Sequence, residues 1–153
     1  MRTLGLDFGT KTIGVAVSDG LGLTAQGVTT IRRTSLKADL AALATLAREH
    51  EADRVVIGLP LNMDGSEGPR AEASRKFADT VAQSLGVQVE LWDERLSTVA
   101  ATRTLLEADV SRARRKEVID QVAAQFILQG WLDAHRPAEA AYHADDDYDD
   151  SEP

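Results

Sequence analysis

Three acidic positions in this 153-residue chain, Asp7, Glu94 and Asp120, could together do chemistry. Asp7 interrupts the apolar series Leu4, Leu6, Phe8 directly before Gly9 and Thr10. An ionised carboxylate buried there needs hydrogen bonds, a counter-charge or a cation. Glu94, with Asp93 beside it, ends the alternating segment Val87, Val89, Leu91. Asp120 belongs to a stretch whose apolar positions Ile119, Val122, Ala123, Phe126 and Ile127 repeat at helical spacing. At about 100° per residue it falls beside Ala124 and Ile127, on the boundary of the buried face. Taken alone, each acid has a plain structural explanation: Asp7 caps a turn, Asp93 and Glu94 open a helix whose dipole favours acids, and Asp120 is a solvated flank. Taken together they form an all-oxygen donor set. Mg²⁺ and Mn²⁺ favour such donors, keep several waters and bind phosphate oxygens as well. Two such ions can activate water and stabilise the leaving oxygen in phosphodiester hydrolysis. The residue types leave open whether Glu94 or Asp93 supplies the second carboxylate.

Competing chemistries find no residues. There is no cysteine, and His50, His135 and His143 are scattered away from ligand spacing, which excludes a zinc site or a Ser-His-Asp relay. Walker-type phosphate loops and a Gly-x-Gly-x-x-Gly turn are absent. The basic residues suit a polyanion. Arg112, Arg114, Arg115 and Lys116 cluster just before Asp120, with Arg95 and Arg103 on the preceding segment and Arg70, Arg75 and Lys76 after a long polar loop. A helix start disfavours cations, whereas phosphate contacts account for them. The net charge of −8 points the other way until its distribution is read. Seven of the 25 acids lie in residues 138–153, which hold no Lys or Arg, leaving 18 acids against 17 bases in the rest. A near-neutral body can still carry a local basic surface.

The elements that must position these residues follow from periodicity. Leu4, Leu6 and Phe8 predict a first strand, and Ile13, Val15 and Val17, alternating with Gly14, Ala16 and Ser18, a second paired to it as a hairpin. Residues 23–31 predict a third strand. Ser35 caps a helix with apolar positions Leu36, Leu40, Leu43, Ala44 and Ala47. Arg54–Gly58 reads as a buried parallel strand, and Pro69 opens a helix carrying Ala73, Phe77, Ala78, Val81 and Leu85. A fifth strand runs to Glu94, and two helices follow, over roughly 97–109 with Ser97 as cap and roughly 115–134. The order β-β-β-α-β-α-β-α-α predicts an α/β fold of the ribonuclease-H-like kind. Its five-stranded mixed sheet, three antiparallel strands then two parallel, is flanked by helices. The expected organisation is one domain over residues 1–136 and an acidic disordered tail over 137–153.

Four segments resemble the YqgF/RuvX family of Holliday junction resolvase-like nucleases, within the ribonuclease-H-like superfamily. They are Leu6-Asp7-Phe8-Gly9-Thr10-Lys11-Thr12-Ile13-Gly14-Val15-Ala16, Gly58-Leu59-Pro60-Leu61-Asn62-Met63-Asp64-Gly65-Ser66, Asp93-Glu94-Arg95-Leu96-Ser97-Thr98, and Asp120 through Gln129. They occur in family order and cover the chain except its tail. The resemblance implies a metal-dependent endonuclease. The family is associated with maturing the 5′ end of the 16S ribosomal RNA precursor and, in some members, with cleaving branched DNA. By motif match, Asp7, Glu94 and Asp120 are the catalytic and metal-binding carboxylates for Mg²⁺ or Mn²⁺, with Asp93 the substitute for Glu94. Lys11, Asn62, Arg95, Arg112, Arg114, Arg115 and Lys116 are the expected nucleic-acid contacts.

Two other classes compete. A nucleotide-binding phosphotransferase is suggested by Asp7-Phe8-Gly9-Thr10, which also resembles the phosphate loop of the actin and sugar-kinase group. Those proteins clasp nucleotide between two lobes, and 153 residues suffice for one. A non-catalytic RNA- or ribosome-binding module is the other, against which the three intact carboxylates argue. The expected partner is nucleic acid, branched DNA or ribosomal RNA precursor. A junction-cutting enzyme is expected to be a homodimer, since symmetric incision needs two related sites. Without cysteine, an apolar stretch of membrane-spanning length or a leader pattern, the expected location is the cytoplasm. The tail acids Asp145–Asp150 could compete with nucleic acid for the basic cluster, though a solubilising end explains them as well.

Overall fold

Alternation of large and small residues along the strands sets the architecture. The computed structural model describes residues 2–97, 99 and 112–136, with side chains of the last segment from 119 onward. Strands β1 (Arg2–Phe8), β2 (Thr12–Ser18), β3 (Ala25–Arg32), β4 (Ala52–Leu59) and β5 (Gln88–Asp93) form one sheet in the order β3-β2-β1-β4-β5. The β1–β2 and β2–β3 pairs are antiparallel and the β1–β4 and β4–β5 pairs parallel. This is the expected mixed sheet of the ribonuclease-H-like fold. Helices α1 (Leu36–Glu49) and α2 (Pro69–Leu85) link its later strands, a 3-10 turn (Glu94–Leu96) follows β5, and α3 (Arg112–Ala134) closes the domain.

Because strand side chains alternate, the sheet has two different faces. Leu4, Leu6, Phe8, Ile13, Val15, Val55 and Ile57 pack with Leu43 and Ala47 of α1 and Phe77 and Val81 of α2. On the reverse face Ala16 and Val56 meet Ala123, Ala124, Ile127 and Leu128 of α3. Local signals place the helices. The Ser35 hydroxyl accepts from the Ala38 amide at 3.1 Å, Pro69 occupies the first turn of α2, and Gly86, at φ 66°, ends that helix.

Four expectations need correction. Leu36 is 54% exposed, while Asp39 is buried in its stead. The first turn of α1 faces Arg33 and Thr34, whose guanidinium (4.0 Å) and amide (3.2 Å) receive the Asp39 carboxylate. Strand β3 begins and ends slightly later than its apolar pattern, at Ala25 and Arg32. Strand β5 stops at Asp93, and Glu94 begins the 3-10 turn. Helix α3 starts at Arg112, slightly before the expected 115, so Asp120 sits in its third turn. The helix expected over 97–109 lies outside the described residues except at Ser97 and Val99, where the Ser97 hydroxyl accepts from the Val99 amide at 3.4 Å. The tail, 137–153, lies outside them too.

Candidate active site

Two glycines let α3 and Glu94 come close to the strand that carries Asp7. Asp7 on β1 pairs directly across from Gly14 on β2, so both residues project from the same face. A Cβ built on Gly14 would stand 1.9 Å from the Asp120 carbonyl oxygen, so α3 lies on β2 at this point and carries Asp120 with it. On the other flank Leu6 pairs with Ile57, which sets Gly58 of β4 beside Asp7. A Cβ on Gly58 would stand 3.0 Å from a Glu94 carboxylate oxygen and 2.6 Å from the Ile127 Cδ1. Asp7, 8% exposed, thus lies between the backbone of Asp120 and the carboxylate of Glu94, at the carboxyl ends of the parallel strands. Ligands of open α/β sheets bind at such strand ends.

Alternation separates the two adjacent acids. Trp92 packs with the α3 cluster, so Asp93 turns to the opposite side, while Glu94, at the start of the 3-10 turn, brings its carboxylate against Gly58 on the face of Asp7. Asp93 is taken up by Arg95, whose Nη2 and Nε donate to its carboxylate at 2.7 Å and 3.1 Å and whose backbone amide does so at 2.9 Å. The Arg95 hydrogen bond holds the Asp93 carboxyl below its ordinary range. Asp120 has a partner of its own, the Thr12 hydroxyl, which donates to Oδ2. Among the described residues, no three acidic or histidine side chains already stand together as a metal cage.

The loop after β4 is a braced structure. The Asn62 amide donates to the Ser66 carbonyl and its side chain to the Ser66 hydroxyl, both at 2.9 Å, and Gly65 takes φ 87°. Arg95 reaches across to the Met63 carbonyl at 3.3 Å. Asn62 and Arg95, both expected as nucleic-acid contacts, therefore brace this loop, and Met63 stands 94% exposed at its tip. The backbone of Arg112, Arg114, Arg115 and Lys116 forms the first turns of α3, and their side chains lie outside the described residues. Lys11 is exposed at the β1–β2 turn.

Several residues escaped the sequence reading. Thr12 orients Asp120, Gly14 and Gly58 clear the site, and Arg32 and Arg33 stand next to Lys11. The Arg33 and Arg70 guanidiniums lie over the Phe8 ring at 4.4 Å and 5.7 Å. They donate to carbonyls of the same turn, Arg33 to Gly9 at 2.7 Å and Arg70 to Phe8 at 2.6 Å. The signal for the glycines was present: Gly5, Asp7, Gly14, Ala16 and Gly58 mark one face of three paired strands as small.

A family model described as RuvX: Holliday junction resolvase matches residues 1–134. A Myxococcus xanthus protein named "Putative pre-16S rRNA nuclease" is 87% identical over all 153 residues, the whole of both chains. A Moorella thermoacetica protein of the same name is 63% identical over 133 residues, covering 87% of this chain and 95% of that one. Among solved structures, Thermus thermophilus RuvC in complex with a Holliday junction substrate aligns with a TM-score of 0.55 at 14% identity, over 88% of this chain and 95% of that one. That likeness is one of fold.

Proposed function

The chain belongs to the RuvX Holliday junction resolvase family, and from that premise we propose that it is a divalent-metal-dependent endonuclease that hydrolyses phosphodiester bonds in structured nucleic acid. What supports this reading is that Asp7, Glu94 and the α3 turn bearing Asp120 lie on one face of the sheet, at Gly14 and Gly58. The substrate is branched DNA or the ribosomal RNA precursor, by analogy with the names its relatives carry. No helix among the described residues is long and apolar enough to cross a membrane, and we place the enzyme in the cytoplasm with its substrate. A homodimer suits symmetric incision of a junction.

The site fits Mg²⁺ or Mn²⁺ in the chemistry of its donors, which are all carboxylate oxygens, and Gly14 and Gly58 allow α3 and Glu94 to come close to the strands that carry Asp7. Bound there, the divalent cation supplies Lewis-acid stabilisation of charge on the phosphodiester and a lower proton affinity for the attacking water. The remaining work belongs to the chain. Asp7, nearly buried on a strand, contributes a carboxylate held in one place. Thr12 holds Asp120 in one orientation by donating to its carboxylate. Arg95 keeps Asp93 occupied, so that Glu94 faces the substrate. In the reaction the water oxygen bonds to phosphorus, one P–O ester bond breaks, and the proton ends on the leaving oxygen.

The test is cleavage of a labelled four-way DNA junction and a ribosomal RNA precursor leader, with Mg²⁺, Mn²⁺ or EDTA. Asp7→Asn is expected to cut at least about a hundredfold more slowly, the scale of losing one preorganised charge in a site of this kind. Cutting in EDTA, or cutting by Asp7→Asn at the wild-type rate, would overturn the proposal. Binding of both substrates without cleavage would identify a nucleic-acid-binding module instead.

A further inference from the structure

We propose that the pocket beside the β1–β2 turn seats one backbone phosphate of the substrate, next to the one that is cut, and that Lys11 and Arg32 hold it. The inference rests on the nuclease reading and adds to it the course of the substrate strand. The pocket has a volume of about 390 Å³ and is lined by Thr10, Lys11, Thr12, Arg32 and Arg33, three cations and no acid. Hairpin register brings them together: Thr12 pairs with Arg32, and the Arg33 amide donates to the Lys11 carbonyl at 2.8 Å. Like charges brought side by side repel unless an anion lies between them.

The three cations differ in how they are engaged. Arg33 is committed to the protein: its Nη1 donates to the carbonyls of Gly9 (2.7 Å) and Thr10 (3.1 Å), its plane covers Phe8, and Asp39 lies 4.0 Å away. It builds the floor and satisfies two carbonyls that would otherwise repel an anion. Lys11 and Arg32 are exposed and have no carboxylate partner among the described residues, whereas Arg54, Arg75, Arg95 and Arg136 each have one. Thr12 links the pocket to the reaction, since it lines the pocket and also donates to Asp120. The lining residues include no aromatic ring on which a base could stack, so the pocket reads the charge of a phosphodiester and not the sequence.

The experiment uses the full chain carrying Asp7→Asn, so that substrate survives, and measures junction and RNA affinity between about 50 and 200 mM salt. Adding Lys11→Ala or Arg32→Ala is expected to flatten the plot of log affinity against log salt by about 0.9 each, equally for all sequences. Arg48→Ala, an exposed cation at the far end of α1, is expected to leave the slope unchanged. Uncharged methylphosphonate linkages, introduced one at a time, should reveal one position that weakens binding to the parent but not to the Lys11→Ala/Arg32→Ala protein. Unchanged slopes in both variants, or no such position, would overturn the pocket while leaving the nuclease reading intact. A parent that binds neither substrate would overturn both, and melting curves confirm that every variant is folded.

Discussion

The two faces of the sheet are built on opposite principles. The face under α1 and α2 is filled with bulk: Leu4, Leu6, Phe8, Ile13, Val15 and Ile57 interlock with Leu43, Phe77 and Val81. The face under α3 is built from absence. Gly5, Gly14 and Gly58 carry nothing, and a Cβ on each would come within 2.6 Å, 1.9 Å and 2.6 Å of the helix. One face holds the fold together by burying area, each large side chain contributing about 1.5–3 kcal/mol. The other lets a helix backbone approach closely enough to set a carboxylate against a buried strand. Both faces bury apolar side chains, but only the face under α3 is cleared by glycines beside the acids, so substitutions on the two should fail differently.

The largest effect on cleavage is expected at Gly14. In Gly14→Ala the new methyl would meet the Asp120 backbone, which cannot rotate aside, so α3 must lift. Turnover per folded molecule should fall at least about a hundredfold as Asp120 leaves the site, with a stability loss of about 1–3 kcal/mol for overpacking. Cleavage rates alongside urea denaturation check both. Gly58→Ala should do less, since its nearest neighbour is the end of the Ile127 side chain, which can rotate. A several-fold slowing is expected, and a loss as large as that of Gly14→Ala would break the distinction. Leu43→Ala, on the bulky face, should reverse the pattern. It should cost about 2–5 kcal/mol of stability while leaving turnover per folded molecule unchanged.

The same division decided what was legible in the sequence. Strands and helices announced themselves through apolar repeats, because burial imposes a period on the side chains that are present. Asp7 was legible as a polar residue among apolar ones. Missing side chains leave a weaker mark, so the glycine alternation was visible while the close approach of α3 that it permits was not. Thr12 was hidden because its partner lies 108 residues away. The neighbours Asp93 and Glu94 could not be ranked until the structure set the Glu94 carboxylate beside Gly58, on the face of Asp7, and the Asp93 carboxylate on Arg95. Leu36 misled because an apolar residue in a helix's first turn satisfies the period whether or not anything covers it.

That last pair gives the smallest and sharpest contrast. Asp93 and Glu94 are adjacent and chemically alike, yet only Glu94 shares the face of the reaction. Glu94→Gln should therefore slow cleavage on the scale of Asp7→Asn, and Asp93→Asn should keep it within about a factor of five, the worth of about 1 kcal/mol. The cost of losing Asp93 should appear in stability instead, and only where its charge exists. The hydrogen bond from Arg95 depresses the Asp93 pKa below its ordinary 3.8. A depressed value in the folded state stabilises fully above the unfolded one and fades as pH falls through the folded one. Wild type should thus melt slightly above Asp93→Asn at neutral pH, and the gap should close in strong acid, below the ordinary 3.8. A gap that stays constant down to pH about 2, beneath the carboxylate range, would mean that shape rather than charge holds Arg95 against the loop. The assignment of Asp93 to a bracing role would then have to rest on the sheet register alone.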